Sequence, residues 1–129
     1  MIYALPITLK KAQQIEELDS NKRDYVTFAV DNNGERVLFF LAHGTSEGKI
    51  SLRKADVTLE QLAYGIVNKI KAIDSTVKTV YTISCYGGLQ TGCVVDGITF
   101  KSMHDSKEEI YTSVWYGDEG KCALDVFVN

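Results

Sequence analysis

The chain of 129 residues carries a net charge of -3, with 45% apolar and 24% charged residues. These values are ordinary for one globular domain, and the length is enough to bury a core without metals or disulfides. Lys and Arg are spread along the chain rather than gathered into a basic stripe, which argues against nucleic-acid binding. We therefore predict one domain over residues 1–129 that has no nucleic-acid partner.

The cysteines and the N-terminus indicate a compartment. Cys85, Cys93 and Cys122 match neither a disulfide framework nor a C-x-x-C zinc pair. We expect a reducing environment, no metal and no cofactor. The N-terminal M-I-Y-A-L-P-I-T-L lacks a basic segment and is interrupted by Pro6, and no apolar run is long enough to cross a bilayer. The sequence thus predicts a cytoplasmic protein with no membrane attachment.

The chain begins with a predicted helix and a hairpin. Apolar residues at three-residue spacing predict an amphipathic helix over 8–20. Strands follow over 25–30 and 36–42, and the D-N-N-G-E between them contains Asn33-Gly34, a tight-turn pair. This connection is too short for a crossover helix, so the two strands should be antiparallel neighbours.

A strand, helix and strand pattern comes next. After a G-T-S-E-G loop and a short extended piece over 49–52, the strongest helix signal covers 58–73, where Thr58 and Gln61 fit a capping box. The following residues 77–84 are rich in β-branched and aromatic side chains, as in a strand. This order predicts a right-handed βαβ crossover between parallel strands. The apolar stripe of the helix consists of Leu59, Leu62, Ala63, Ile66, Val67, Ile70 and Ile73.

Beyond the βαβ unit we predict a small antiparallel β region. Residues 93–100, 111–116 and 122–128 suit strands, and the last two are predicted to pair across the G-D-E-G turn. The polar stretch K-S-M-H-D-S-K-E-E predicts a surface loop or a short helix, with His104 in solvent. Cys93 and Cys122 are expected to be buried or half-buried packing residues.

Two apolar runs end at a potentially reactive side chain followed closely by glycine. L-F-F-L-A-H-G contains His43-Gly44, and V-Y-T-I-S-C-Y-G contains Cys85. Because the carboxyl ends of parallel strands share one edge of a sheet, the βαβ unit can bring His43 and Cys85 together. An imidazole beside a thiolate supports acyl transfer. Gly44 would let the backbone turn after His43, so that the amides of Gly44 and Cys85 stabilise an oxyanion, worth about 3 kcal/mol per donor.

Other cysteine chemistries fit the sequence less well. A tyrosine-phosphatase loop needs Arg six residues after the cysteine, where this chain has Thr91. Papain-like proteases and triad glutamine amidotransferases place Cys before His, whereas here His43 precedes Cys85. A thioredoxin-type centre needs C-x-x-C, which is absent.

The same residues resemble the caspase-like cysteine peptidases, the group of caspases, gingipains, clostripain, separase and bacterial CHAT domains. The resemblance covers about residues 25–88 and rests on a strand ending in His43-Gly44, an intervening helix, and a strand ending in Ser84-Cys85. The His-to-Cys interval is close to the roughly 50 residues typical of caspases. The Ile-Ser before the cysteine is closer to the bacterial branches than to caspases.

This resemblance implies a three-layer caspase-like α/β sheet with His43 as the general acid/base and Cys85 as the nucleophile. It also implies an oxyanion hole formed by the amides of Gly44 and Cys85. The substrate would be a peptide or protein, with a preference for one side chain before the cleaved bond. A homodimer or a partner chain would supply elements of the substrate pocket that the chain itself does not show. The candidate pocket residues are Tyr86, Trp115 and Tyr116; aromatic residues in strands are also common in sheet cores.

Two hypotheses of different class remain open at this point. In the first, the chain is a cysteine endopeptidase with a His43/Cys85 dyad. In the second, it is a non-catalytic caspase-like module that binds a partner protein through its sheet edge or aromatic strand. A cysteine at the end of an apolar strand is more often packing than nucleophile. Rapid alkylation of Cys85, slowed by His43→Ala, would favour the peptidase.

Overall fold

The computed structural model describes the backbone of residues 2–8, 25–32, 34–116 and 121–128. It describes the side chains of residues 34–111 together with Tyr25, Thr27 and Ala29. These residues form two β-sheets, one α-helix and one short 3-10 helix. In chain order the elements are β1 (Ile2–Thr8), β2 (Tyr25–Asn32), β3 (Glu35–Gly44), β4 (Ile50–Ser51), β5 (Asp56–Val57), α1 (Leu59–Ile73), β6 (Val77–Ile83), the 3-10 helix (Gly87–Leu89), β7 (Cys93–Val95), β8 (Ile98–Ser102), β9 (Ile110–Tyr116) and β10 (Lys121–Val128).

The larger sheet contains the predicted βαβ unit. Its strand order is β5-β4-β3-β6-β8-β7, with β2 also paired to β3. β3 and β6 are parallel, with Leu38 beside Val80 and Leu41 beside Ile83. β2 and β3 are antiparallel. The predicted parallel pair joined by a helix and the predicted hairpin are therefore both confirmed.

Helix α1 begins as its sequence predicts and covers one face of this sheet. The Thr58 side chain accepts a hydrogen bond from the Gln61 amide at 3.1 Å, and the Gln61 side chain accepts one from the Thr58 amide at 2.9 Å. Most of the predicted stripe is buried, but Ile73 is 41% exposed because the helix ends there. The buried helix residues are Leu59, Leu62, Ala63, Val67 and Ile70.

The predicted antiparallel C-terminal region is only partly confirmed, because residues 93–102 form two strands, β7 and β8, which pair antiparallel with each other, but β8 also has a parallel neighbour. These strands form a hairpin whose turn, Asp96-Gly97, has positive φ angles of 49° and 79°. β8 then pairs parallel with β6, with Phe100 beside Val80, and so extends the larger sheet. Alternation of apolar residues identifies a strand but not its neighbour, and the partner was therefore assigned incorrectly.

The second sheet has the order β1-β10-β9 and is antiparallel. The predicted pairing of the last two strands is confirmed, whereas their G-D-E-G turn over 117–120 lies outside the described residues. The helix predicted over 8–20 also lies outside them, except for Thr8, which ends β1. Among the described residues, no helix has the length and apolar character needed to span a membrane.

Candidate functional site

The strand ends that carry His43 and Cys85 lie side by side. The parallel ladder between β3 and β6 extends to Leu41 and Ile83, and two residues further along the chain lie His43, still within β3, and Cys85, in the turn after β6. A Cβ atom placed on Gly44 would lie 2.9 Å from the carbonyl carbon and 3.1 Å from the nitrogen of Cys85, and would overlap its carbonyl oxygen. The backbones of these two residues are therefore in direct contact at the carboxyl edge of the sheet.

This contact changes the reason for a glycine at position 44. Gly44 is the last residue of β3 and does not have a positive φ, and the chain turns back directly after it, over 45–48. The Thr45 amide donates to the Lys49 carbonyl at 2.8 Å, which makes Gly44 and Ile50 the non-hydrogen-bonded pair of the β3–β4 ladder. The N–H of Gly44 therefore points away from β4 and toward β6, the side on which Cys85 lies.

The ring of His43 stands at the surface beyond this contact. The side chain is exposed, and its residue pairs with Ser51 on β4. We find no hydrogen bond or ion pair between the imidazole and the described side chains, Cys85 included. The fold thus brings the backbone of Gly44, the residue after His43, to the cysteine, while His43 itself is exposed to solvent.

The Cys85 thiol lies between the two sheets. Its Sγ accepts a hydrogen bond from the Ile110 amide at 3.5 Å and donates one to the Ile110 carbonyl at 3.6 Å. Because the N–H and C=O of Ile110 both bond the sulfur, they point away from β10, the neighbouring strand of β9. The sulfur therefore lies beside the edge of β9 that faces away from β10. The N–H can serve either a thiol or a thiolate, whereas the carbonyl can bond only the thiol.

The chain after Cys85 turns through a strained backbone conformation. Tyr86, which is half-buried, has φ 59° and ψ 26°, the left-handed region, at a typical cost of about 1–3 kcal/mol for a residue other than glycine. A Cβ atom on Gly87 would overlap Ser102 Oγ, and one on Gly88 would overlap the Asp105 carbonyl oxygen. This loop therefore packs against a second stretch of the chain, with Gly87 against side chains and Gly88 against backbone, at distances that leave no room for a Cβ atom.

That second stretch is residues 102–110. It supports residues 85–90, which we call the cysteine loop. The sequence predicted a surface loop or short helix in the second stretch, and His104 in solvent; residues 103–109 do form a loop, but His104 is only 5% exposed, so the prediction of its exposure is wrong. The polar composition of this stretch gives no indication that His104 is buried. The two consecutive glycines, Gly87 and Gly88, are the sequence feature that indicates a close approach of another part of the chain. The bonds of the second stretch to the cysteine loop and to β6 are Met103 N to Thr82 O, Tyr86 N to Glu108 O, and Gly88 N to Ser106 O.

The buried His104 ring uses both of its nitrogens within the protein. Nε2 lies 2.7 Å from the carbonyl oxygen of Ser84, and Nδ1 accepts a hydrogen bond from the Ser106 amide at 3.2 Å. A ring that accepts at Nδ1 and faces a carbonyl at Nε2 must be neutral with its proton on Nε2. His104 is therefore not free to act as the base for Cys85.

Ser84, the residue before the cysteine, is also held by its side chain. Its Oγ accepts a hydrogen bond from Gln90 Nε2 at 2.6 Å, and Gln90 Oε1 accepts one from Thr82 Oγ1. Ser84 and Thr82 are 2% and 1% exposed, so these bonds satisfy hydroxyls that water does not reach. The Gln90 side chain thereby fixes the far end of the cysteine loop to β6.

The remaining predicted site residues give less information. Tyr86 borders the cysteine, but its pocket role remains a prediction. The predictions for Trp115, Tyr116 and Cys122 concern side chains outside the described part of the chain. Cys93 is half-buried, as expected. Among the residues that are described, no group of three or more His, Cys, Asp or Glu side chains could hold a metal ion.

No known family model, curated protein or solved structure is significantly similar to the chain. The resemblance to caspase-like peptidases therefore rests on the residues named above. The geometry of the cysteine loop is the remaining basis for assigning a function.

Proposed function

We propose that the chain is a cysteine peptidase-like hydrolase in which Cys85 is the nucleophile and His43 the general acid/base. The observation that carries this proposal is the contact between the backbones of Gly44 and Cys85. This contact brings together the end of β3, which carries His43-Gly44, and the end of the parallel strand β6, which is followed by Ser84-Cys85. The left-handed conformation of Tyr86 supports the proposal further, since strained residues of this kind cluster at functional sites.

The proposed reaction is acyl transfer through a thioester. The Cys85 thiolate attacks the peptide carbonyl carbon, and the amides of Gly44 and Cys85 face the oxyanion that forms. His43, in its protonated form, gives a proton to the leaving amine as the C–N bond breaks. Water then attacks the thioester, His43 takes its proton, and the C–S bond breaks to restore the thiolate and the protonated imidazole.

Two local rearrangements accompany this chemistry. Cys85 must release its bond to the Ile110 carbonyl, because a thiolate has no proton to donate. The exposed His43 ring must turn toward the sulfur, and no hydrogen bond to another side chain among the described residues opposes this rotation. Neither step requires the strands to move, since the backbone contact already exists.

The proposal includes a caspase-like arrangement of the sheet, cytoplasmic location and a peptide or protein substrate. The order of β3, α1 and β6 supports the fold assignment. In this proposal a second copy or a partner chain completes the substrate pocket, to which Tyr86, Trp115 and Tyr116 contribute.

Alkylation with iodoacetamide near neutral pH tests the nucleophile directly. Cys85 should react at least about tenfold faster than Cys93, and His43→Ala should remove most of that difference. Glu47→Ala, an exposed change in the loop that follows Gly44, is the matched control and should have no effect. Mass spectrometry of the labelled peptides separates the cysteines. Equal, slow labelling that is insensitive to His43→Ala would refute the proposal.

A second function is favoured by a different observation. The Cys85 thiol is hydrogen-bonded in both directions by Ile110, and His43 makes no bond to it. Both facts also suit a non-catalytic module in which Cys85 packs one sheet against the other and the surface binds a partner protein. In that case Cys85→Ala should lower stability, and the wild-type thiol should show no enhanced reactivity.

A further inference from the structure

His104 is a buried titratable side chain that the proposed reaction does not use. It is 5% exposed, and both ring nitrogens are engaged. Its Nε2 contacts the carbonyl oxygen of Ser84, which belongs to the peptide bond that joins Ser84 to Cys85. The ring therefore contacts the carbonyl of the same peptide bond whose N–H, that of Cys85, is proposed for the oxyanion hole.

The geometry of a peptide bond links the two groups. No cis peptide occurs among the described residues, so the carbonyl of Ser84 and the N–H of Cys85 point in opposite directions within one plane. β6 lies between β3 and β8, and His104 follows β8. A carbonyl held on the β8 side consequently directs the Cys85 N–H to the β3 side, where Gly44 lies.

The ring itself is held in place from several directions. The Ser106 amide fixes Nδ1, and the His104 carbonyl accepts a hydrogen bond from Ser102 Oγ at 2.9 Å. A Cβ atom on Gly87 would lie 2.8 Å from Cε1 and 2.9 Å from Nε2 of the ring, so the loop after the cysteine packs directly on it. The ring cannot reverse without losing both nitrogen contacts.

We propose that His104 is a positioning residue that orients the Ser84–Cys85 peptide, so that the Cys85 amide faces the oxyanion. This inference rests on the proposed function. A hydrogen bond to the carbonyl also polarises the peptide and strengthens its N–H as a donor. His104 thus acts on acyl transfer through the backbone and never touches the substrate.

Two reagents separate this role from general support of the fold. Acylation of Cys85 by p-nitrophenyl acetate passes through an oxyanion, whereas alkylation by iodoacetamide does not. His104→Asn can still accept from the Ser106 amide but is too short to reach the Ser84 carbonyl, while His104→Gln reaches that carbonyl. We expect Asn to slow acylation by about 10- to 100-fold with alkylation changed by less than about threefold, and Gln to restore acylation.

The controls distinguish failure of this inference from failure of the proposed function. Gln90→Ala frees the Ser84 hydroxyl but not its carbonyl, so it should change both rates alike. If alkylation of wild-type Cys85 is no faster than that of Cys93, the function and this inference both fail. If Cys85 is activated but His104→Asn changes both rates equally, or neither, only the positioning role fails.

A measurement on the wild-type protein does not depend on the folding of any variant. Nitrogen NMR of the His104 ring should show the neutral tautomer with its proton on Nε2. A proton on Nδ1 would mean that Nε2 does not donate to Ser84, and would overturn the positioning role.

Discussion

The α-carbon of Gly44 lies against the peptide of Cys85, with so little space that a methyl group at position 44 would overlap the Cys85 carbonyl oxygen. The neighbours of that methyl group would be backbone atoms, which a rotamer change cannot move aside. The contact therefore fixes the separation of two strand ends. It makes Gly44 a requirement of the packing, independent of any chemistry at Cys85.

Gly44→Ala should destabilise the protein strongly. Relief of the overlap requires the end of β3 to move from Cys85, and such overpacking costs about 3 kcal/mol. Denaturant unfolding measures the change, and the Cys85 alkylation rate should fall with it.

Gly65→Ala is the matched control, because a Cβ atom on Gly65 meets no atom within 4 Å and the residue lies inside α1. It should raise the free energy of unfolding by about 0.5–1 kcal/mol. A Gly44→Ala protein as stable as the wild type would show that the two strand ends are not in contact.

The cap of α1 offers a test of the crossover helix. Thr58→Ala and Gln61→Ala each remove one bond of a reciprocal pair and should each cost about 1 kcal/mol or less. Because the two side chains belong to one reciprocal pair of hydrogen bonds, the double variant should lose less than the sum of the two single losses, by about 0.5 kcal/mol. Thermal unfolding of the single and double variants measures this. A double variant whose loss equals the sum of the two single losses would mean that the two side chains act independently.

Local patterns predicted the part of the fold that positions Cys85. The capping box of Thr58 and Gln61, the apolar stripe of α1 and the Asn33-Gly34 pair act between residues close in sequence, and each has a recognisable spacing. The parallel pairing of β3 and β6 followed because a helix between two strands leaves few alternatives.

The support around Cys85 could not be predicted in the same way. His104 lies in a polar stretch, and its burial depends on Ser84 and Gly87, which are distant in sequence. The parallel partner of β8 was missed for a similar reason, since alternation in one strand carries no information about the neighbouring strand. Both errors concern contacts made by the whole fold, which sequence periodicity does not encode.

Asp74 gives a prediction about stability and pH. Its carboxylate accepts hydrogen bonds from the Thr76 amide and hydroxyl, and from Arg36 Nε at 3.0 Å. The hydrogen bonds from Thr76 chiefly, with Arg36, hold the pKa of Asp74 below its usual value, although burial opposes them. A carboxyl group whose folded pKa is lowered contributes stability above its unfolded pKa, near 4, and loses it as the pH falls through the folded value.

Asp74→Asn should therefore reduce the free energy of unfolding by about 1–2 kcal/mol at pH 7. The difference from the wild type should shrink as the pH falls below about 4, because the wild-type carboxyl then becomes neutral as well. Urea unfolding at several pH values measures it. Asp56→Asn, an exposed carboxyl on β5, is the control and should show little change. A difference that stays constant from pH 7 to pH 3 would contradict this account.

Cys93 provides the reference thiol for the labelling experiments, and its own reactivity can be predicted. Burial raises the pKa of the Cys93 thiol, and the negative charge of Glu60 raises it further. The thiol should therefore react slowly at neutral pH and faster as the pH rises.

Glu60→Gln should speed the alkylation of Cys93 by about twofold at low salt, since the larger effect of burial remains, and added salt should reduce the gain. Glu47→Gln removes the same charge from a distant loop and should leave the rate unchanged. An equal response to both substitutions would rule out a local effect of Glu60.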